Sequence, residues 1–320
     1  MLSSRKAFDR LLHDNRHQVD ARHYLRSRLF DMWLGDWSRR EDQWRWATFA
    51  QPDGTVRYRA IPRDRDHAFF KFDDGLLTRL VSWFKPNYQT FDRRIKLADV
   101  EGLNRAARPM DKSLLVFLSR EDFRQVADSL QQQLTDASIG EALRAWPPEI
   151  QALSNAEFGD KLRGRRAQLP AVAAQFYALL AREVEIPGTD EPERFVVEGL
   201  GNGQVRVSVF QAGAGRALLG RRTFDGRDTR RLALFGLGGD DVFVLRGALP
   251  PGLALAVHGG AGRDRLGLES DLQASPRVVV YDSGDGNEVV TTHRAVEVKS
   301  YQPRADEFSA AGWLLRHRLH

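Results

Sequence analysis

Apolar positions recur every three or four residues through the first part of the chain and every second residue through the last part. Ala21, Leu25, Leu29 and Met32/Trp33 fall on one face at that longer period, which predicts an amphipathic helix. Ser119 opens S-R-E-D and Ser154 opens S-N-A-E, each ahead of an apolar-periodic run. Both spacings predict a capping box at a helix start. Pro147-Pro148 and Pro170 punctuate the later helices. One hairpin interrupts them: WATFA, then Gln51-Pro52-Asp53-Gly54, then TVRYRAI, with Asp-Gly at the turn.

Beyond Ile186-Pro187-Gly188 the text becomes short β-branched runs between glycine turns: RFVVEGL, QVRVSVF, RLALFGL, DVFVLRG, LALAVHG, RVVVYDS and NEVVTT. The predicted fold class is α+β. A helical region with one hairpin spans residues 1–190, an all-β region spans 191–305, and a tail spans 306–320.

Three of the glycine turns resemble one another: GLGGDDVFV from Gly236, GGAGRDRLG from Gly259 and DSGDGNEVV from Asp282. Aligning Asp241, Asp264 and Glu288 gives intervals of 23 and 24 residues. A repeat of that length suits one coil of a β-solenoid, with a β-sandwich as the alternative architecture. GGAGRDRLG also fits the nonapeptide that binds calcium in β-rolls, which makes Asp241 and Asp264 candidate calcium ligands. The plainer reading is that glycine and aspartate form tight corners.

Composition narrows the function classes. The chain has no cysteine, which excludes disulfides and thiolate metal sites. Its start lacks the apolar run of a signal peptide, and no apolar stretch reaches the length of a membrane span. The net charge of +5 comes from arginines spread beside nearly as many acids, so a continuous nucleic-acid-binding face is not expected. His13 and His17, four apart on a helical run near Asp14 and Asp20, have metal-ligand spacing but read more simply as a solvated helix face.

The densest chemistry lies in GDWSRREDQWRW, residues 35–46. An apolar helix ends in MWLGDW, the polar loop SRREDQ follows, then the hairpin, then IPRDRDHAFF. A kinase C-lobe has this order: a loop supplies a base and one metal ligand, and a later aspartate holds magnesium. The loop resembles the D-R-H-x-x-N/Q signature of atypical kinases such as CotH-like, HipA-like and phosphatidylinositol-kinase-like proteins. It is most similar to large cell-envelope proteins of Gram-negative bacteria that carry G-D-W-D-R-H-E-D-Q-W-R-W followed by I-P-R-D-R-D-Q-A-F. Those chains continue into glycine-rich β repeats and an outer-membrane barrel. The resemblance covers Asp9 to Leu77 and extends more loosely into the β region.

The resemblance implies a metal site at Gln43 with Asp64 or Asp66, holding magnesium or manganese with a nucleotide. It also implies a cell-envelope location and an envelope or protein partner. Two positions depart from the pattern. Ser38 stands where the signature has its proton-accepting aspartate, and Arg40 where it has histidine. A serine hydroxyl holds its proton too tightly to act as a general base near neutral pH. The residues before Gly35 carry no glycine-rich loop and no lysine-bearing strand, so no phosphate-gripping N-lobe is expected.

These features predict a degenerate or truncated kinase-like envelope protein without phosphotransfer activity, keeping at most a metal and phosphate ligand. The alternatives are a scaffold working through the β repeats, and an enzyme in which Asp36 or Asp42 replaces the lost base. Trp33, Trp37, Trp44 and Trp46 are expected to pack the loop against the helical core.

Overall fold

Several of the helices begin where a side chain satisfies one of the first backbone amides. The computed structural model describes residues 1–72, 89–213, 217–269, 271–273, 278–284, 286–289, 294–300 and 309–317. Helix α1 (Ser4–His13) is capped by Ser3, and α2 (Ala21–Leu34) by Asp20, whose carboxylate accepts the His23 amide at 3.1 Å. Two short helices follow, α3 (Val100–Asn104) and α4 (Arg108–Leu114). Helix α5 (Arg120–Gln133) opens with the expected reciprocal box between Ser119 and Asp122. Then come α6 (Asp136–Arg144), α7 (Pro148–Ala167) and α8 (Leu169–Ala181).

Two local expectations are corrected. Ser154 caps nothing, because Pro148, with its φ already helical and no amide to satisfy, starts α7 well before it. His13 and His17 do not share a helix. Helix α1 ends at His13, and His17 begins the short strand β2 (His17–Val19).

β2 belongs to a four-stranded sheet, ordered β1 (Leu2–Ser3), β3 (Trp44–Ala50), β4 (Val56–Pro62), β2. Strands β3 and β4 are the predicted hairpin, and Gly54 takes φ +81° at its turn. Trp44 and Trp46 point inward from β3 onto Tyr24 of α2.

From Glu183 the chain runs in strands, starting with β5 (Glu183–Pro187), which precedes the boundary expected at residue 190. Strands β9 (Arg231–Leu237), β11 (Ala254–Gly260), β13 (Val278–Asp282) and β15 (Val296–Ser300) pair in parallel beside β5. A second sheet runs β14 (Glu288–Val289), β12 (Arg265–Leu268), β10 (Val242–Ala248), β6 (Glu193–Gly201), also in parallel. The antiparallel strands β7 (Gln204–Gln211) and β8 (Leu218–Asp225) extend its edge. The chain alternates between the two sheets, so each pass lies one strand spacing from the last.

Strand register corrects the repeat. Val242 pairs with Arg265 and Arg265 with Glu288, so the residues aligned with Asp241 and Asp264 are Glu193 and Asn287, not Glu288. An amide oxygen at Asn287 accepts the Asp264 backbone amide at 2.8 Å, the task a carboxylate performs in the earlier turns.

Alternation along the strands divides the apolar residues between two cores. Leu232, Leu234, Leu255 and Val257 face Phe195, Val197, Phe243 and Leu245 between the sheets. Ala233, Phe235, Leu237 and Ala256 face the other way and join the core of the helical part. Helix α9 (Ala310–Arg316) completes that second core, with Trp313 in edge contact with Phe235 at 5.0 Å. The structure is therefore α+β with several sheets and no closed barrel among the described residues.

Candidate functional site

The loop of residues 35–43 begins where α2 must stop. Gly35 takes φ +76°, and its amide closes on the carbonyl of Met32 while that of Asp36 closes on Asp31. A Cβ at Gly35 would also press on the Phe91 ring at 3.1 Å. The chain then reverses, and Glu41–Gln43 form one 3-10 turn leading into β3.

Inside this reversal lies a buried charge network. Asp36 is fully buried, and its Oδ1 accepts both the amide and the hydroxyl of Ser38 at 3.1 Å. Its Oδ2 lies 2.7 Å from Nη2 of Arg39. Nε of Arg39 lies 3.0 Å from Oδ2 of Asp31 on α2, and Nη1 donates to the Arg63 carbonyl. Arg65 reaches the other oxygen of Asp31 at 3.0 Å. Arg28, one turn back on α2, lies 3.6 Å from Asp31 and donates to Asp111 at 3.0 Å. Asp111 also accepts from Tyr24 and Asn104.

Arg28, Arg39 and Arg65 thus face Asp31, Asp36 and Asp111, three cations against three anions. The paired atoms of Arg39 fall outside hydrogen-bond geometry, so charge holds them more than directed bonds. Burial pushes the carboxyls of Asp31 and Asp111 up from their ordinary range, and the arginines pull against it. The Arg39 guanidinium also sits 5.6 Å from the Trp44 ring.

The residues expected to carry chemistry separate into two groups. Ser38 and Gln43 are buried, within 3.3–3.4 Å of each other's polar atoms. Arg40 is exposed and pairs locally with Asp42. Asp64 and Asp66 are exposed, Asp64 with φ +55°, and Asp66 pairs with His67 at 2.7 Å. The Arg63 amide bonds the Gln43 carbonyl at 2.8 Å, which brings the two segments together at the backbone while Gln43 turns inward. His13 pairs with Asp9 and Asp190, and His17 with Tyr58 and Asp14. Among the described residues, no group of three or more acids and histidines is placed to hold a metal ion.

Asp241 and Asp264 lie in a ladder between coils. The Glu193 amide donates to Asp241 at 2.8 Å, the Asp241 amide to Asp264 at 3.1 Å, and the Asp264 amide to Asn287 at 2.8 Å. Each acid rests against a glycine five residues earlier: Gly188 for Glu193, Gly236 for Asp241 and Gly259 for Asp264. That G-x-x-x-x-[DE] interval is written in the sequence, but glycine turns are common enough to hide it. Burial pushes Asp241 up to about 10 and Glu193 up to about 7.

Periodicity gave no pointer to Arg28, Asp31 or Asp111, since charges on predicted helices read as solvated faces. Compared with family models, curated proteins and solved structures, the chain matches none.

Proposed function

We propose that this chain is a degenerate kinase-like protein of the cell envelope that transfers no phosphate and works by binding a partner. The observation that carries the reading is the state of Ser38. At the base position of the resembled signature its hydroxyl is buried and donates to Asp36, and it lies between Asp36 and Gln43. The neighbouring Arg39 is locked between Asp31 and Asp36. The loop acts as an internal clamp that joins α2 to the hairpin.

The two parallel ladders support a solenoid-like reading of the β region, with one coil per 23 residues at Asp241 and Asp264. One face of it is covered, because Phe235 and Ala256 of the five-stranded sheet pack into the helical core. The outer face of the six-stranded sheet is open. There Arg194, Arg206, Arg221 and Arg246 surround a groove of about 470 Å³ in which Glu198 is the one acid. Glu198 pairs with Arg206 and Arg246, at 3.1 and 2.9 Å. Glu269 lies 3.7 Å from Arg246 as well, so two of the four positive charges remain, and the partner this face suits is an acidic protein segment.

Thermal unfolding tests the reading. The midpoint is expected to stay unchanged on adding magnesium or manganese with ATP, because a ligand that binds only the folded chain must raise it. The double variant Ser38→Asp, Arg40→His is expected to transfer no phosphate from labelled ATP. A shift needing both metal and ATP, and lost in Asp64→Ala or Asp66→Ala, would replace this reading with a retained nucleotide pocket. A shift with calcium alone would move the function to Asp241 and Asp264.

A further inference from the structure

Strand β8 ends the six-stranded sheet beside the arginine groove, and among the described residues its outer edge pairs with no other strand. At eight residues it is longer than the short edge strands by which proteins avoid unwanted pairing. The Gly226 amide donates to the Gly203 carbonyl at 2.8 Å, and antiparallel bonding alternates from there along the register Val205↔Phe224, Arg206↔Thr223, Val207↔Arg222 and Ser208↔Arg221. Phe224 and Arg222 therefore turn their amides and carbonyls toward β7, while Thr223 and Arg221 turn theirs outward. Among the described residues, no hydrogen bond reaches the main chain of Thr223 or Arg221.

The same two residues carry their side chains on the outer face of the sheet. Both are exposed, whereas Arg222 and Phe224 are buried on the inner face. Register sets Arg221 beside Ser208, whose hydroxyl accepts Nε of Arg221 at 3.0 Å. Arg206 and Arg246 are held by Glu198, but neither Arg194 nor Arg221 forms an ion pair among the described residues. An open main-chain edge and an uncompensated positive charge thus coincide at Arg221.

An exposed edge accepts whichever strand reaches it, and the charges along it decide which one stays. The β8 edge of a second copy would bring like charges together, in a chain whose net charge is already +5. Self-pairing is therefore disfavoured, and a strand carrying acids is favoured. Arg222 takes no part in this choice, because it points inward to the Val116 carbonyl and the Tyr177 hydroxyl.

We propose that the acidic partner is an extended segment that adds to the open edge of β8 as a further antiparallel strand, with a carboxylate beside Arg221. The inference rests on the reading of the arginine face as a surface for an acidic protein segment, and it adds how that segment is held. Main-chain bonds to Arg221 and Thr223 supply affinity, and alternate side chains supply specificity. Every second residue of the segment shares the face of Arg221, so its acids are spaced two apart. A helix would present acids three or four apart and would leave the main chain of Arg221 and Thr223 unmet.

Calorimetric titration of the purified chain with the acetylated and amidated peptide ETETETE tests the proposal. With a glutamate opposite Arg221 in an antiparallel strand, the glutamate amides face β8 and the threonine amides face away. The peptide is expected to bind once per chain. N-methylation of its glutamates is expected to weaken binding about tenfold or more, and N-methylation of its threonines to change it less than about threefold. Arg221→Glu, at an exposed position, is expected to weaken the unmodified peptide about tenfold while the melting midpoint stays unchanged. Equal affinity for the two methylated peptides overturns strand addition and leaves acidic docking on the arginine face standing. Unchanged affinity in Arg221→Glu overturns the placement at β8. If the unmodified peptide fails to bind the wild-type chain, both this inference and the acidic-partner reading are overturned.

Discussion

Arg39 lies 3.0 Å from Asp31, and neither side chain has any contact with solvent. One residue belongs to the loop and the other to α2, so the pair fixes the reversal between Gly35 and β3. Removing one member of a buried ion pair leaves a charge without a partner, which costs about 3–5 kcal/mol. Arg39→Ala is therefore expected to lower unfolding stability by that amount in urea titrations. Arg39→Lys is expected to restore less than half of it, because one ammonium cannot reach Asp31, Asp36 and the Arg63 carbonyl together. A loss below 1 kcal/mol for Arg39→Ala would show that the clamp does not hold the loop.

Gly236 lies against the carboxylate of Asp241 in the β ladder. A Cβ added there would fall 2.0 Å from Oδ2 of Asp241 and 2.2 Å from the Gly259 carbonyl. Backbone on the neighbouring coil has little room to yield, so Gly236→Ala is expected to cost about 2–3 kcal/mol or more. Gly201→Ala is a control for strain from positive φ alone, since nothing lies within 4 Å of its Cβ position. The two variants compared by thermal melting separate crowding from backbone strain, and equal losses would argue against the close approach.

Much of this architecture is readable along the chain, and the unreadable parts share a cause. The hairpin, the Ser119 cap and the strands from Glu193 onward follow from local rules, whereas β5 starts ahead of the expected boundary, at Glu183. The near-regular 23-residue interval is also visible, although acid-for-acid matching chose Glu288 where strand pairing selects Asn287. Phe235, His258 and Tyr281 recur at that same interval and stack with ring centres 4.4 and 4.3 Å apart. The buried network is different. Arg28 and Asp31 look like an exposed helix face until Asp111, far along the chain, and Arg39 are brought to them by tertiary packing. Glu193 was equally hidden, because its burial is a property of space and not of spacing.

Trp313 meets the Phe235 end of that aromatic stack edge-on. It is fully buried, contacts Phe235 at 5.0 Å and also lines a cavity of about 260 Å³. Truncating a buried tryptophan costs about 3–5 kcal/mol when surrounding groups do not collapse. Trp313→Ala is expected to lower the melting midpoint and to raise amide exchange in Ala310–Arg316 before it affects β9. Uniform exchange across both elements would show that α9 and the sheet unfold as one unit.

Stability should also fall as pH rises through the neutral range. Unfolded, Glu193 releases its proton near the ordinary 4.5, whereas burial holds it in the folded chain to about 7. Between those values the folded state binds more protons, so this contribution is complete below pH 4.5 and lost as pH passes 7. At about 1.4 kcal/mol per pH unit it is on the order of 3 kcal/mol. Asp241 acts in the same direction over a wider window, from its ordinary 3.8 to about 10. Glu193→Gln removes the first contribution and also reduces the second, because the Glu193 charge is part of what raises Asp241. Urea midpoints measured from pH 4.5 to 8 are therefore expected to decline less steeply in the variant, with the two curves converging at the acid end. Parallel curves would mean that Glu193 ionises in the folded chain as readily as in water, and that its burial carries no charge penalty.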